Sequence, residues 1–303
     1  MNEIVSTYNL SKKYGDFYAV KDVNLSIKEG DIYGFLGPNG AGKTTTLKMI
    51  LGLIQPTNGK VKVFEKDFES NRQFILSHTG SLIESPSYYG HLTGLENMRI
   101  VQKLRDVPDD NVMEALKIVR LEKQKDRKVN QYSLGMKQRL AIAMALLSFP
   151  KLLILDEPTN GLDPAGISEI RELIKSLPKR YEMTVLISSH LLSEIEQIAT
   201  TVGIINNGEM IFQGSMEELK REKRPNIKIR TSNNKLAQNL LFAKGFFSTK
   251  DGDFLVFENL TDEQVIEINR SLLEAYIDVF RIEEHKKNLE SIFLDITGKE
   301  CSL

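Results

Sequence analysis

Gly37-Pro38-Asn39-Gly40-Ala41-Gly42-Lys43-Thr44 is the stretch that decides the fold. It satisfies G-x-x-x-x-G-K-[ST], the pattern of a loop that wraps phosphate. Glycines let the chain turn sharply and bring successive N–H groups up to phosphate oxygens with no Cβ in the way. Lys43 is placed to reach the β- and γ-phosphates, and the Thr44 hydroxyl to ligate Mg²⁺. Upstream, Tyr33-Gly34-Phe35-Leu36 reads as a short buried strand entering the loop. Downstream, Leu47, Ile50, Leu51 and Ile54 recur at i, i+3, i+4 and i+7, the spacing of one helix face. A helix leaving the loop aims its positive N-terminus at the anion. Strand, loop and helix together predict that the chain binds a nucleoside triphosphate.

A triphosphatase also needs a carboxylate near the metal and a group that activates or orients water. Leu152-Leu153-Ile154-Leu155-Asp156-Glu157 offers both at the end of an apolar strand. Asp156 stands where the outer shell of a metal would be, and Glu157, one residue on, where a general base would. Tyr132-Ser133-Leu134-Gly135-Met136-Lys137-Gln138-Arg139 runs into the helix Leu140–Leu147. A serine and a glycine thus sit at a second anion-favouring helix start. Ordinary capping would also explain Ser133. Since the first loop holds the chain's own nucleotide, the second start suggests a γ-phosphate presented by another molecule.

Further out, residues 1–30 alternate apolar and polar and predict an antiparallel sheet, while 94–105 and 110–120 predict amphipathic helices. Strand-like runs return at Leu152–Leu155 and Val185–Ser188. Between them, Asp163 and Pro164 open a helix with Ile167, Ile170, Ile174 and Leu177 on one face, which Pro178 is expected to end. Buried strands alternating with helices indicate a doubly wound sheet with its chemistry at the strand carboxyl ends. Lys220-Arg221-Glu222-Lys223-Arg224-Pro225 changes the character of the chain. It reads as a solvated connector, or alternatively as a basic site. Beyond it come a strand at Ile227–Arg230, a helix over 234–244 and a hairpin with Asp251-Gly252 at its tip. A helix opened by the capping box Thr261-x-x-Gln264, a strand near Val279–Glu283 and a short helix from Asn288 to Gly298 follow. The order βαββαβ predicts a small ferredoxin-like domain, with dimerisation or regulation as its role. The fold class is therefore α/β, a P-loop core with antiparallel and helical subdomains over 1–219 and an accessory α+β domain over 225–303.

The chain has 303 residues, enough for two cores. Its 40 basic and 41 acidic side chains leave a formal charge of −1, so no global basic field exists to hold nucleic acid. Cys301 is the lone cysteine, which excludes an internal disulfide and suits a reducing cytosol. Met1-Asn2-Glu3-Ile4 lacks the order of a signal peptide. The longest apolar run, Leu140 to Phe149, is far short of the roughly 20 residues that a membrane span needs. The expectation is a soluble protein; work at a membrane would require a spanning partner.

Taken together, these motifs resemble the nucleotide-binding subunit of an ABC transporter. Gly37–Thr44, with Thr45 beside it, matches the Walker A motif, Leu152–Asp156 the Walker B motif and Glu157 the catalytic glutamate. Asn160-Gly161-Leu162-Asp163 is similar to the D-loop, and Ser188-Ser189-His190 carries the switch histidine. Tyr14 resembles the aromatic residue that stacks on adenine. The resemblance implies a head-to-tail dimer binding two ATP molecules with Mg²⁺, each held by one Walker A loop and the other subunit's Ser133, Gly135 and Met136. It also implies a transmembrane permease as partner and a peripheral place on the inner face of the cell membrane. The second ATPase would be an identical or a related subunit.

Two departures from the family pattern stand out. The signature reads Tyr-Ser-Leu-Gly-Met rather than Leu-Ser-Gly-Gly-Gln, and Met136 cannot donate a glutamine's hydrogen bonds. Glu84, in Gly80-Ser81-Leu82-Ile83-Glu84-Ser85-Pro86, stands at the Q-loop glutamine position. A carboxylate can still ligate Mg²⁺, but adds negative charge beside the γ-phosphate. Glu84, the Tyr88-Tyr89 pair and Thr93-Gly94-x-Glu96-Asn97 resemble the bacitracin-resistance and lantibiotic-immunity group. The implied function is an ATPase driving export of a peptide or amphipathic antibiotic. An importer subunit is the alternative, as is an ABC ATPase acting on DNA ends or ribosomes, although the inserted heptad arms or second ATPase domain of those proteins are missing.

Overall fold

The computed structural model describes residues 2–84, 87–221, 226–258 and 260–285. The chain divides into two compact units, Met1–Met216 and Glu217–Leu303. The first begins with β1 (Glu3–Tyr14), β2 (Phe17–Val23) and β3 (Ser26–Lys28). Next come β4 (Ile32–Leu36) and α1 (Lys43–Ile50), then the short hairpin β5 (Asn58–Val63) and β6 (Lys66–Asp67). An antiparallel sheet in the order β2-β1-β5-β6, with β3 also on β1, results. Tyr14 pairs with Phe17 across the tightest end of this sheet, where Gly15 takes φ 57.

The middle of the unit holds α2 (Phe68–Ser77), β7 (Thr79–Leu82), α3 (Gly94–Arg105), α4 (Asp110–Ile118) and α5 (Leu134–Leu146). Then follow β8 (Leu152–Asp156), α6 (Pro164–Tyr181), β9 (Thr184–Ser189) and α7 (Leu192–Glu196). The hairpin β10 (Thr201–Asn206) and β11 (Glu209–Ser215) completes the series, and helix α8 (Met216–Arg221) begins at the unit's last residue. The second sheet runs β11-β10-β4-β9-β8-β7, parallel except for the β10–β11 hairpin. Strands β4, β8 and β9 are buried at every residue, as parallel strands covered on both faces must be. Because β4, β7, β8 and β9 share one direction, the segments leaving their carboxyl ends gather along a single edge of the sheet. Those segments carry Gly37, Glu84, Glu157 and His190.

One core joins the two sheets. Val5, Leu10, Ile27 and Val61 of the antiparallel sheet meet Tyr33, Phe35, Leu47, Ile50, Ile154 and Leu186. Helix α7 lies so close to β4 that a Cβ on Gly34 would meet Ile195 Cγ2 at 2.2 Å. That approach fixes the segment just after His190 against the central strand.

Three sequence expectations need correction. Helix α1 ends at Ile50, so Ile54 is not on its face; Gly52, at φ 61, reverses the chain there. Helix α5 starts at Leu134 rather than Leu140, because the Ser133 hydroxyl accepts the Met136 N–H and caps it. Helix α6 does not stop at Pro178 but continues to Tyr181. Proline loses one backbone bond there, yet Leu177 is fully buried, and the Tyr181 ring lies 5.9 Å from that of Phe149. Side-chain burial on both flanks outweighs the lost hydrogen bond. Glu182, at φ 54, makes the actual stop.

The second unit contains β12 (Asn226–Thr231), α9 (Asn234–Ala243), β13 (Thr249–Asp251), β14 (Phe254–Phe257), α10 (Asp262–Glu274) and β15 (Val279–His285). Its antiparallel sheet has the order β13-β14-β12-β15, the split βαβ arrangement of a ferredoxin-like fold. Ile229, Leu241, Phe246, Leu255, Phe257, Ile268 and Leu272 form its own core. Thr261 and Gln264 form the reciprocal capping box at the start of α10. The helix expected from Asn288 to Gly298 lies outside the described residues, as do Ser85, Pro86 and most of the connector, 222–225.

Candidate nucleotide site

The loop from Gly37 to Gly42 takes its shape from contacts that only glycine allows. A Cβ on Gly37 would meet the Ile205 carbonyl oxygen at 2.4 Å. Gly42, the N-cap of α1, sits at φ 106, a conformation forbidding to other residues. Between them Pro38 O accepts the Ala41 N–H at 3.1 Å, and Ala41 O accepts the Gly208 N–H at 3.0 Å, so the loop is tied at both sides. Asn39, Gly40 and Thr45 line the cleft above it. Lys43 is buried, and its ammonium group donates to Gly37 O at 2.7 Å and Pro38 O at 3.2 Å. It also lies 3.3 Å from Glu157 Oε1.

From Thr44, in the first turn of α1, hydrogen bonds run to the ends of two adjacent central strands, β8 and β9. The Thr44 hydroxyl donates to Asp156 Oδ2 at 2.9 Å, and the Ser188 hydroxyl donates to Asp156 Oδ1 at 2.6 Å. Ser188 Oγ in turn accepts the Glu157 N–H at 3.0 Å. Glu157 Oε2 lies 2.7 Å from His190 Nδ1; the carboxylate can only accept, so Nδ1 carries the hydrogen. Glu157 holds this position with its backbone at φ 48.

Tyr14 and Phe17 stand at the mouth. Being directly opposite in the β1–β2 register, they present their rings on the same face of the hairpin. The Lys12 ammonium sits 5.1 Å from the Tyr14 ring centre. Both rings, with Lys43, Thr44, Glu157, Asn160 and His190, line one open cleft of about 550 Å³.

Glu84, Asp163 and the residues expected to face a second subunit's ATP, Ser133, Gly135 and Met136, lie outside this cleft. Glu84, at φ 57, forms a 2.5 Å ion pair with Lys48 on α1 and is not among the residues lining the cleft. Ser133 is exposed at the start of α5, with Gly135 and Met136 in the first turn; the Met136 N–H donates to Ser133 Oγ at 3.2 Å. Asp163 caps α6, accepting the Gly166 N–H at 2.9 Å. Sequence reasoning did not single out Phe17 or Ala19, which line the cleft, nor Ser188 as the link between two carboxylate-bearing residues. For Ser188 the signal was present: a hydroxyl at the end of an apolar strand, next to a strand that ends in Asp156.

Residues 20–160 match the family described as "ABC transporter". The chain is 43% identical to the Bacitracin transport ATP-binding protein BcrA of Bacillus licheniformis, over 98% of each sequence. It is 46% identical to the Lantibiotic transport ATP-binding protein SrtF of Streptococcus pyogenes, over 68% of this chain and 88% of that one. Among solved structures it resembles the dimeric ATP-binding cassette MJ0796 bound to ADP and Pi, with TM-score 0.63 and 29% identity over 70% of this chain and 98% of that one. A phosphate-wrapping loop joined by hydrogen bonds to two carboxylates and a histidine, together with these likenesses, places the chain in the ABC transporter family, as an ATP-binding subunit whose ATPase activity is coupled to transport.

Proposed function

We propose that the chain hydrolyses ATP with Mg²⁺ in a head-to-tail pair of ATPase subunits and thereby drives a separate membrane permease that exports a peptide or amphipathic antibiotic. The observation that carries the hydrolytic part is the unbroken chain Thr44–Asp156–Ser188–Glu157–His190 beside Lys43. The cargo class rests on the bacitracin and lantibiotic transport relatives. Among the described residues no helix is long and apolar enough to cross a membrane, which leaves the spanning role to a partner on whose cytoplasmic side this subunit would dock.

Lys43 rests on loop carbonyls and on the Glu157 carboxylate, oxygens that the β- and γ-phosphates would replace. The described residues include no cluster of three or more His, Cys, Asp or Glu fit for a metal. A site offering Thr44 and Asp156 oxygens alone suits Mg²⁺, which keeps waters and takes phosphate oxygens as further ligands. The bound cation supplies charge neutralisation on the phosphates. Glu157 accepts the proton of the attacking water, and His190, donating through Nδ1, holds that carboxylate toward the cleft. Tyr14 stacks on the base. Ser133 and Gly135 of the second subunit complete the far side of the γ-phosphate; Ser133 is exposed and Gly135 half-buried at the start of α5.

The test is Glu157→Gln protein saturated with ATP and Mg²⁺. Turnover should fall by about 10²- to 10⁴-fold, as for loss of a general base, while the protein elutes as a dimer that wild type forms only transiently. Elution as a monomer, both alone and with its permease, would refute the paired mechanism. Uptake of candidate peptides into inverted vesicles carrying the permease then tests the cargo; ATP-dependent uptake of none of them, with release of a solute loaded in the lumen instead, would favour import.

A further inference from the structure

Glu194, in α7, is a carboxylate only 7% exposed, and nothing in the hydrolytic chain just described uses it. A buried carboxylate needs donors. The Thr159 hydroxyl donates to its Oε2 at 2.6 Å, a short bond of the charge-assisted kind. The Ser189 hydroxyl lies 3.2 Å from the same oxygen and 3.4 Å from Leu191 O, and itself accepts the Leu191 N–H at 3.0 Å. One carboxylate therefore reaches two segments that are remote in sequence, and each segment carries a residue of the site.

The first segment is the turn after Glu157. Asn160 N–H donates to Glu157 O at 3.1 Å and Leu162 N–H to Thr159 O at 3.1 Å, so Thr159 is fixed relative to Glu157. Glu157 sits at φ 48, and a non-glycine residue stays there only where its surroundings over-determine it. Its N–H on Ser188 is one restraint; Thr159 on Glu194 is the second. The other segment is the end of β9, where Ser188 and Ser189 point to opposite faces of the strand. Ser188 serves Asp156 and Glu157, while Ser189 serves Glu194, immediately before His190.

We propose that Glu194 is a positioning residue. It holds the turn that presents Glu157 and the strand end that presents His190 in one register, and it touches no nucleotide, since it does not line the cleft. This rests on the reading of Glu157 and His190 as the hydrolytic pair. The energetic logic is that of placement: a small misplacement of the base lowers turnover without weakening substrate binding.

The experiment measures kcat, KM for ATP and melting temperature in the full chain for Glu194→Gln, Glu194→Ala, Thr159→Val, Thr159→Ser and the Thr159→Val/Glu194→Ala pair. The isosteric Glu194→Gln keeps the test open if the alanine variant does not fold. Glu194→Ala and Thr159→Val should lower kcat by about 10- to 100-fold, the scale of an ångström-sized misplacement, with KM within about twofold of wild type. The pair should be no worse than either single variant, and Thr159→Ser should recover most of the loss. Wild-type kcat in Glu194→Ala and Glu194→Gln overturns the proposal. So does a fall in kcat that tracks loss of folded protein, or a serine variant no better than the valine one. Glu157→Gln, run alongside, separates the two readings. If it keeps wild-type turnover, the hydrolytic assignment is wrong; if it is inactive while the Glu194 variants are normal, only the positioning role is.

Discussion

Ser188 shows how much one hydroxyl can decide at this site. Its hydrogen goes to Asp156 and its lone pair to the Glu157 N–H, all in a fully buried position. Replacement by alanine leaves the part-buried Glu157 N–H without its acceptor and removes a donor from the buried Asp156 carboxylate, the latter costing about 1–3 kcal/mol. Ser188→Ala should therefore melt at a lower temperature and also lose turnover, because Glu157 at φ 48 loses a restraint. Thermal melts and ATPase assays on one preparation check both; a destabilised protein with normal turnover would show that the backbone of Glu157 needs no such anchor. Glu84 makes the opposite case. Its pair with Lys48 is mostly exposed, so breaking it should change stability by less than about 1 kcal/mol. A Glu84→Gln variant should nonetheless differ from wild type in the Mg²⁺ dependence of its ATPase, because release from Lys48 is what would let residue 84 approach the metal. Superimposable Mg²⁺ curves would remove Glu84 from the site.

At the scale of elements, helix starts govern much of the local order. Thr261→Ala removes half of the capping box of α10 and should destabilise the second unit by about 1 kcal/mol, readable as a lower melting temperature. An unchanged melt would mean that packing of Ile268 and Leu272 alone fixes that helix. This capping box was legible in the sequence because its chemistry spans only four residues, and the loop from Gly37 to Thr44 was legible for the same reason. So was the run of apolar residues in β8, which ends in Asp156 and Glu157. What escaped was whatever depends on distant partners. Helix α6 passes through Pro178 because Tyr181 finds Phe149, a contact no local pattern encodes. Glu194 meets Thr159 across 35 positions of sequence, and Phe17 enters the cleft only through its register with Tyr14. Glu84 was read by position in a motif, and its ion pair with Lys48 could not be foreseen from that position.

At the scale of the whole molecule, the described residues that line the nucleotide cleft all fall between Tyr14 and His190, within the first compact unit. The core that supports them is assembled from residues between Ile4 and Ile205. The second unit has a separate core, from Ile229 to Ile277. A protein that contributes its site and its supporting core from one unit should bind nucleotide when shortened to that unit. We therefore expect a chain ending at Arg221, past the unit's last residue Met216 so that helix α8 is kept whole, to fold and to gain stability from ATP with Mg²⁺. At a ligand concentration one hundred times Kd the gain should be about 2.7 kcal/mol, as for the full chain at the same saturation. Chelation of Mg²⁺ should reduce the gain in both chains, since Thr44 and Asp156 would then face the nucleotide without the cation between them. The measurement is a pair of melting curves, with and without nucleotide, for each length. If the short chain folds but its melting temperature ignores ATP, residues beyond 221 take part in holding the nucleotide, and the site extends past the cleft that Tyr14, Lys43 and His190 outline.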